Sequence, residues 1–358
     1  MRRLLDWTLL VPVLALVALA LTWGRHLGAV LVVVVAVLLA GAVLAAVHHA
    51  EVVAHRVGEP FGSLVLAVAV TVIEVALIVT LMISGGPATA SLARDTVFAA
   101  VMITTTGIVG LSLLVGARRY GVTLFNAEGS GAALATVATL ATMSLVLPTF
   151  TTSQPGPEFS PGQLTFAALA SLALYGMFVL TQTVRHRDFF LPVSQNDDAD
   201  SHAEPPTTRA ALTSVGLLMV ALVAVVGLAK VESPAIEDGV EAAGFPPSFV
   251  GVVIALLVLA PETLAAVRAA RRGRVQISLN LAYGSAMASI GLTIPTIALA
   301  SVWLDGPLLL GLGATQMVLL ALTVVVSVLT VVPGRATRLQ GGVHLVLLAA
   351  FIFLAINP

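Results

Sequence analysis

Long apolar runs dominate the chain, and short polar or Gly/Pro-rich breaks separate them. A membrane-spanning helix needs roughly 20 predominantly apolar residues, whereas a transmembrane barrel shows short segments of alternating polarity. The runs follow the first pattern and therefore predict an all-α integral membrane protein. We expect eleven transmembrane helices, near residues 7–23, 28–50, 60–84, 96–116, 129–150, 163–184, 210–230, 246–270, 275–303, 307–332 and 341–356.

The breaks contain residues that a helix does not easily continue through, as in Gly85-Gly86-Pro87 and Phe245-Pro246-Pro247. The longest polar segment lies between Arg185 and Arg209 and carries an acidic run. Its composition predicts a flexible linker. A regulatory ion site in this segment is the alternative. The acidic run is Asn196-Asp197-Asp198-Ala199-Asp200.

The two halves of the sequence share a pattern, because several residues recur with one offset of 188. With the expected helix count, the third helix crosses the membrane in one direction and the eighth in the other. This predicts two five-helix repeats of inverted orientation, the arrangement of transporters that bind their substrate near the bilayer midplane. We expect an extra helix in 1–27, the repeats in 28–184 and 210–358, and an acidic cytoplasmic linker in 185–209. The recurring pairs are Phe61/Phe249, Ala67/Ala255 and Glu74/Glu262.

Basic residues predict the orientation of the chain. All of the 17 Lys and Arg residues except Arg25, Arg94 and Lys230 fall on one side of the expected helices. By the positive-inside rule, that side is cytoplasmic, which places the N-terminus inside and the C-terminus outside a bacterial inner membrane. The N-terminal run also has the features of a signal peptide, but an uncleaved first helix explains it without a processing step.

The composition excludes several functional classes. The chain is 58% hydrophobic and 10% charged, with a mean hydropathy of +1.05, so the bilayer is its solvent. It has no cysteine, which excludes disulfides, thiol nucleophiles and thiolate metal sites. A net charge of −1 offers no basic face for nucleic acid. No HExxH or GxSxG motif supports a membrane hydrolase.

Two glutamates lie inside apolar runs. Glu74 follows Pro60 by 14 residues, about 21 Å along a helix, and Glu262 follows Pro261 within another run. An acid at this depth costs at least ~2.5 kcal/mol to insert, so it normally faces a bundle interior and has a function there. A proline also leaves a backbone carbonyl without its helical donor. These features predict a cation and proton site at Glu74 and Glu262, with a purely structural hydrogen bond as the alternative for each.

Hydroxyl groups on the helices that follow each acid are candidate supporting ligands. Small residues also permit close helix packing, which is the alternative role for most of them. Oxygen atoms from a few of these side chains would complete a cation's ligand shell. The hydroxyl-rich stretches are Thr104-Thr105-Thr106-Gly107 and the helical face Ser278, Ser285, Ser289, Thr293 and Thr296; the candidate ligands are Thr71, Thr104, Thr105, Ser285 and Ser289.

A polar cluster lies at the expected cytoplasmic end of the second helix and contains His48, His49, Glu51 and His55. Polar side chains cost little free energy at the membrane interface, so a purely structural role at the interface is one interpretation. Proton entry or pH sensing through His48, Glu51 and His55 is a second, since histidine titrates near neutral pH. A transition-metal site is the third.

Two groups of motifs surround the two acids. They are Ala50-Glu51-Val52-Val53-Ala54-His55-Arg56-Val57-Gly58-Glu59-Pro60-Phe61-Gly62 with Thr71-Val72-Ile73-Glu74-Val75-Ala76-Leu77-Ile78, and Ala260-Pro261-Glu262-Thr263-Leu264-Ala265-Ala266 with Gly284-Ser285-Ala286-Met287-Ala288-Ser289-Ile290-Gly291-Leu292-Thr293-Ile294-Pro295. These motifs resemble the repeats of the calcium/cation antiporter superfamily, and within it the Ca²⁺/H⁺ antiporter (CAX) family and its ChaA-type bacterial group. The resemblance covers nearly the whole chain, including the eleven helices and the acidic central loop.

The resemblance implies an antiporter in which Glu74 and Glu262 are the two cation-binding glutamates, one from each repeat. It implies Ca²⁺ export in exchange for protons, with Na⁺ and K⁺ as further cargoes, and no resident cofactor. Many relatives carry an Asn and a Gln where this chain has Thr71 and Ala288, which leaves fewer amide ligands. A monovalent antiporter, a cation channel and a membrane enzyme are the alternatives. The expected partners are Ca²⁺, protons and lipid, without a predicted oligomeric state.

Overall fold

The structure, a computed structural model, describes residues 7–25, 27–58, 61–85, 89–193, 206–303 and 306–358. Arg2, Arg3, Pro60 and the acidic run 196–200 lie outside the described residues. Two antiparallel strands accompany the helices. The helices are α1 Trp7–Thr22, α2 Ala29–Val57, α3 Phe61–Gly85, α4 Leu92–Met102, α5 Val109–Tyr120, α6 Ala127–Ala141, α7 Pro161–Leu180, α8 Thr208–Ala242, α9 Phe249–Arg271, α10 Val275–Ala300, α11 Ala314–Val331 and α12 Arg338–Ile356; the strands are β1 Val122–Leu124 and β2 Arg335–Thr337.

Helices α4 and α5 form one continuous span, so the described residues contain eleven helical segments. Nine of the described segments are long and apolar enough to cross a membrane, with mean hydropathies from 1.3 to 3.2. The other two contain the shorter apolar helices Trp7–Thr22 and Val68–Ile83. The prediction of an all-α membrane fold with eleven helices is confirmed.

Three predicted helix boundaries were wrong by seven or more residues. Helix α2 ends at Val57 rather than 50, since the polar residues after 50 continue the helix. Helix α8 continues well past residue 230, to Ala242, and passes through Pro234. The apolar run ends near residue 230, although the helix continues, because the last three turns of α8 are polar. Helix α11 begins at Ala314 rather than 307. The apolar residues before it are extended instead, and their amides donate to other segments: Leu309 to Ala90 O, Gly311 to Pro157 O and Leu312 to Leu145 O, at 2.8 to 3.1 Å.

In the part of the chain that the structure describes, three helices contain or end in a π-helical turn, at Ile103–Ile108, Thr142–Val146 and Thr181–Arg185. Threonine hydroxyls near these turns donate to the carbonyl four residues earlier, as Thr181 does to Met177 at 2.8 Å. Such bonds compete with the backbone amides for carbonyl oxygens and bend helices. The π-helical turns thus coincide with threonine-rich sequence, and such turns are commonly functional.

Unit 1 comprises 1–89 and 198–250, and its described helices are α1, α2, α3 and α8. Helix α2 packs along α8, and α1 and α3 pack against the same pair. Two glycines allow α1 to pack closely against α8 and α2. A Cβ atom on Gly227 of α8 would lie 2.3 Å from a methyl carbon of Leu19, and one on Gly41 of α2 would lie 3.0 Å from Val11. Lys230 lies over the ring of Trp23 at 5.3 Å.

Unit 2 comprises 90–197 and 251–358 and holds α4–α7 and α9–α12, with α9 counted from Gly251. Helix α10 is central and packs against α4, α5, α6, α7 and the π-helical turn Ile103–Ile108. Strands β1 and β2 pair antiparallel, with Thr123 opposite Ala336. The all-α prediction contained no strand, because three residues are too short to show a period-2 pattern.

Candidate functional site

Glu74 lies in the middle of α3, which runs from Phe61 to Gly85. Only 4% of its surface is exposed, and the adjacent Ile73 and Val75 are also buried. Thr71, one helical turn earlier, is 5% exposed and lies on the same face as Glu74. Unit 1 therefore holds a buried carboxylate and a buried hydroxyl on one face of an apolar helix.

Glu262 lies in the middle of α9, as far from Phe249 at the helix start as Glu74 is from Phe61. It is 7% exposed, so both predicted acids are buried. Pro261 precedes it within an unbroken helix, and the proline leaves the carbonyl of Leu257 without its helical donor. The hydroxyl of Thr263 donates to Leu259 O at 2.7 Å. Unit 2 thus presents a buried carboxylate beside backbone that a proline has loosened.

The predicted ligands Thr104 and Thr105 lie in the π-helical turn Ile103–Ile108, and both are buried. Thr104 donates its hydroxyl to Ala100 O at 2.7 Å, and Thr105 donates to Val101 O at 2.6 Å. These bonds use each hydroxyl proton and leave oxygen lone pairs available. The turn can therefore offer oxygen ligands, since hydroxyl and carbonyl oxygens both suit a hard cation.

Helix α10 carries the other predicted hydroxyls and packs against this π-helical turn. Ser289 is 2% exposed and Ser285 is half-buried. Ser278 donates to Ala266 O at 2.6 Å and so attaches α10 to α9, which is a packing role. Thr296 is exposed. Within unit 2, α10 thus contacts both the element that carries Glu262 and the threonine-rich turn.

The predicted His48, Glu51 and His55 are exposed along α2. The buried member of the cluster is His49, which the sequence did not single out. Its Nε2 lies 2.8 Å from Thr8 O and its Nδ1 lies 3.3 Å from Ser214 Oγ. Because a carbonyl only accepts, Nε2 carries the proton. Among the described residues, no three His, Asp or Glu side chains are close enough together to hold a metal ion.

Among the described residues, sequence reasoning missed two buried acids, Asp95 and Glu232, and one buried histidine, His344. Asp95 accepts from Ser91 Oγ and pairs with Arg94 Nε, both at 2.8 Å. Glu232, 2% exposed, lies beyond the predicted end of α8, and Asp95 lies before the predicted start of its helix. His344 is fully buried in α12. In the sequence, the only indication of His344 was a single polar residue within an apolar run.

Comparison with known proteins gives consistent results. The profile of the family described as "Sodium/calcium exchanger protein" matches residues 27–184 and 213–357. The "Putative ionic transporter y4hA" of Sinorhizobium fredii is 46% identical, over 98% of this chain and 96% of the relative. The "Sodium-potassium/proton antiporter ChaA" of Escherichia coli is 37% identical, over 97% and 95%.

Solved structures show the same fold. Two structures of the Ca²⁺/H⁺ antiporter YfkE match with TM-scores of 0.71 and 0.70, at 18% and 14% identity. Each match covers 98% of both chains. The family profile covers most of the sequence, and the relatives from Sinorhizobium fredii and Escherichia coli align along nearly all of it. The chain belongs to the sodium/calcium exchanger protein family.

Proposed function

We propose that this protein is a cation/proton antiporter in which Glu74 and Glu262 bind the cation and the protons. The observation that carries the proposal is a buried carboxylate at the matching position, in the middle of an apolar helix, in each unit. Burying two such acids is costly unless they have a task. Relatives named as sodium-potassium/proton and Ca²⁺/H⁺ antiporters support this class of function.

The coupling follows from charge. Deprotonated, the two carboxylates attract a cation; protonated, they are neutral and release it. Protons and cation therefore compete for the same oxygens. In alternating access, the protein changes the side of the membrane to which its binding site is open. It makes this change when the site is protonated and neutral or when the site holds the cation, but not when the site is empty and charged. Exchange is then obligatory, and the proton gradient drives cation export from the cytoplasm of a bacterial cell.

Ca²⁺ is the cation that fits two carboxylates best. Two negative charges neutralise one divalent ion, and hydroxyl and carbonyl oxygens from Thr104, Thr105, Ser285 and Ser289 are hard ligands of the kind that Ca²⁺ prefers. Mg²⁺ is disfavoured because it gives up its water shell reluctantly. We therefore assign Ca²⁺ as the tightest-binding cargo.

Monovalent exchange is the second candidate, and the identity of 37% to the sodium-potassium/proton antiporter ChaA favours it. One Na⁺ or K⁺ leaves a net negative charge at two carboxylates unless one glutamate keeps its proton. Monovalent exchange would therefore carry fewer protons per turnover, and the apparent affinity for the monovalent ion would rise with pH less steeply than that for Ca²⁺. This difference in proton count separates the two cargoes experimentally.

Reconstitution into proteoliposomes tests the function. We expect saturable, proton-coupled uptake of Ca²⁺, and loss of uptake in Glu74→Gln and Glu262→Gln, which keep shape but remove the titratable charge. The matched control is Glu241→Gln at an exposed position of α8, which should transport normally. Near-normal exchange by either buried variant contradicts the mechanism. A conductance that dissipates ion gradients would indicate a channel instead, and absence of flux would leave an enzyme as the alternative.

A further inference from the structure

His344 joins three elements of unit 2. Its Nδ1 lies 2.9 Å from the carbonyl oxygen of Thr105, in the π-helical turn Ile103–Ile108. Its Nε2 lies 3.1 Å from the hydroxyl of Thr330 on α11. The side chain is fully buried on α12. A buried imidazole with a partner for each ring nitrogen is held in one orientation.

The carbonyl that His344 contacts has lost its regular helical donor. In an α-helix the amide of residue 109 donates to the carbonyl of residue 105. Here the amide of Val109 donates to Thr104 O and Thr106 O instead. His344 Nδ1 supplies Thr105 O with a donor from another helix. The imidazole thus compensates for the hydrogen bond that the π-helical turn diverts.

Two glycines bring α12 close enough for this contact. A Cβ atom on Gly341 would lie 2.6 Å from Leu114 N and 2.9 Å from Gly110 O. A Cβ atom on Gly110 would lie 3.0 Å from His344 Cβ. The backbones of α5 and α12 therefore touch, as small residues allow in membrane helices. Gly341 lies one turn before His344 and fixes the distance from the imidazole to the π-helical turn.

We propose that His344 is a positioning residue for cation binding. By holding Thr105 O, it fixes the π-helical turn and with it the oxygen atoms of Thr104 and Thr105. This inference rests on the proposed function, in which those oxygens support the cation. Residues behind the ligands commonly set ligand orientation, and their loss weakens metal affinity by about 10- to 100-fold.

The geometry also fixes the tautomer. Thr105 O can only accept, so Nδ1 carries the proton. In neutral His344, Nε2 can only accept, so the hydroxyl of Thr330 directs its one proton to the imidazole at 3.1 Å rather than to Val326 O at 2.9 Å. The donor to the π-helical turn is thus Nδ1. This assignment predicts different outcomes when His344 is replaced by Asn and when it is replaced by Gln. The amide nitrogen of Asn matches Nδ1 in its distance from Cβ, whereas that of Gln matches Nε2.

The transport test compares His344→Asn, His344→Gln and His344→Leu in proteoliposomes, with Ca²⁺ and in parallel K⁺ as the cation. We expect Asn to keep KM within about threefold, and Gln and Leu to raise it about tenfold or more, with the maximal rate changed less than KM. A merely structural role would lower the active fraction and leave KM unchanged. If Gln matches Asn, or if KM does not move, the proposal fails. The Asn and Gln pair keeps the test valid if Leu does not fold.

A second measurement does not depend on transport. Hydrogen–deuterium exchange of the full chain should show faster exchange at residues 103–110 in the Gln and Leu variants, by about five- to tenfold, and no change in Asn. ¹⁵N NMR of wild-type His344 should show the Nδ1–H tautomer. Unchanged exchange in Leu, or the Nε2–H tautomer, overturns the positioning role. A wild-type protein without antiport would refute the proposed function while these two readouts still test the contact.

Discussion

Asn280 on α10 donates a hydrogen bond from Nδ2 to the carbonyl oxygen of Phe190, at 2.7 Å. Its Oδ1 accepts from Gln276 Nε2 at 2.9 Å, and Gln276 Oε1 accepts from the amide of Asn126 at 2.6 Å. This amide chain connects the start of α6, one face of α10 and the 3₁₀ turn Arg187–Phe190. Gln276 is 1% exposed, and its partners Asn126 and Asn280 are partly buried.

Gln276→Leu should destabilise unit 2. The change leaves the partly buried backbone N–H of Asn126 without its side-chain acceptor, and an unsatisfied group costs up to about 1–3 kcal/mol as its burial becomes complete. Thermal unfolding in detergent should therefore begin at a lower temperature. The control is Gln154→Leu at an exposed position, which should change little. Equal melting temperatures for the two variants would contradict this role for the amide chain.

Adjacent glycines on α12 should respond in opposite ways to alanine. A methyl group on Gly341 would overlap the backbone of Leu114, whereas one on Gly342 would meet nothing within 4 Å. We expect Gly341→Ala to destabilise by about 1–3 kcal/mol through overpacking. Gly342→Ala should be neutral or stabilising by up to about 1 kcal/mol, because alanine is the better helix former. Thermal unfolding of both variants measures the difference, and similar stabilities would contradict the close contact of α5 and α12.

Apparent Ca²⁺ affinity should rise with pH. Binding requires deprotonated carboxylates, so protons compete and affinity falls as pH falls, by up to about tenfold per pH unit for each proton released. Proteoliposome uptake at several pH values, with Na⁺ or K⁺ as competitor, measures this dependence. An affinity that is flat with pH contradicts direct competition. Failure of Ca²⁺ to inhibit monovalent exchange would favour the monovalent antiporter.

Cysteine labelling tests the predicted orientation. The chain has no cysteine, so each introduced thiol is the only one. Arg118→Cys, at the exposed end of α5, should react only with reagent that reaches the cytoplasm. Gln154→Cys, in the exposed segment between α6 and α7, should react from outside. Labelling of both thiols from one side would contradict the assignment made from the basic residues.

Hydropathy predicted the number and approximate position of the helices because most of the apolar runs are long enough to span a bilayer. It failed where tertiary contacts decide the conformation. The apolar residues before Ala314 looked helical, but their amides bond to distant carbonyls. For the candidate site, the sequence identified Glu74 and Glu262 as buried acids. It did not identify His344, because a histidine's partner across a helix contact depends on packing that hydropathy does not encode.

The pairing of β1 with β2 has a consequence for biogenesis. Thr123 and Ala336, which face each other across this ribbon, are separated by 213 residues. A ribosome adding about 5–20 residues per second needs roughly 10–40 s to synthesise that interval. During this time β1 has no partner strand. Closure of the ribbon therefore marks the late assembly of unit 2, after most of its helices have been inserted.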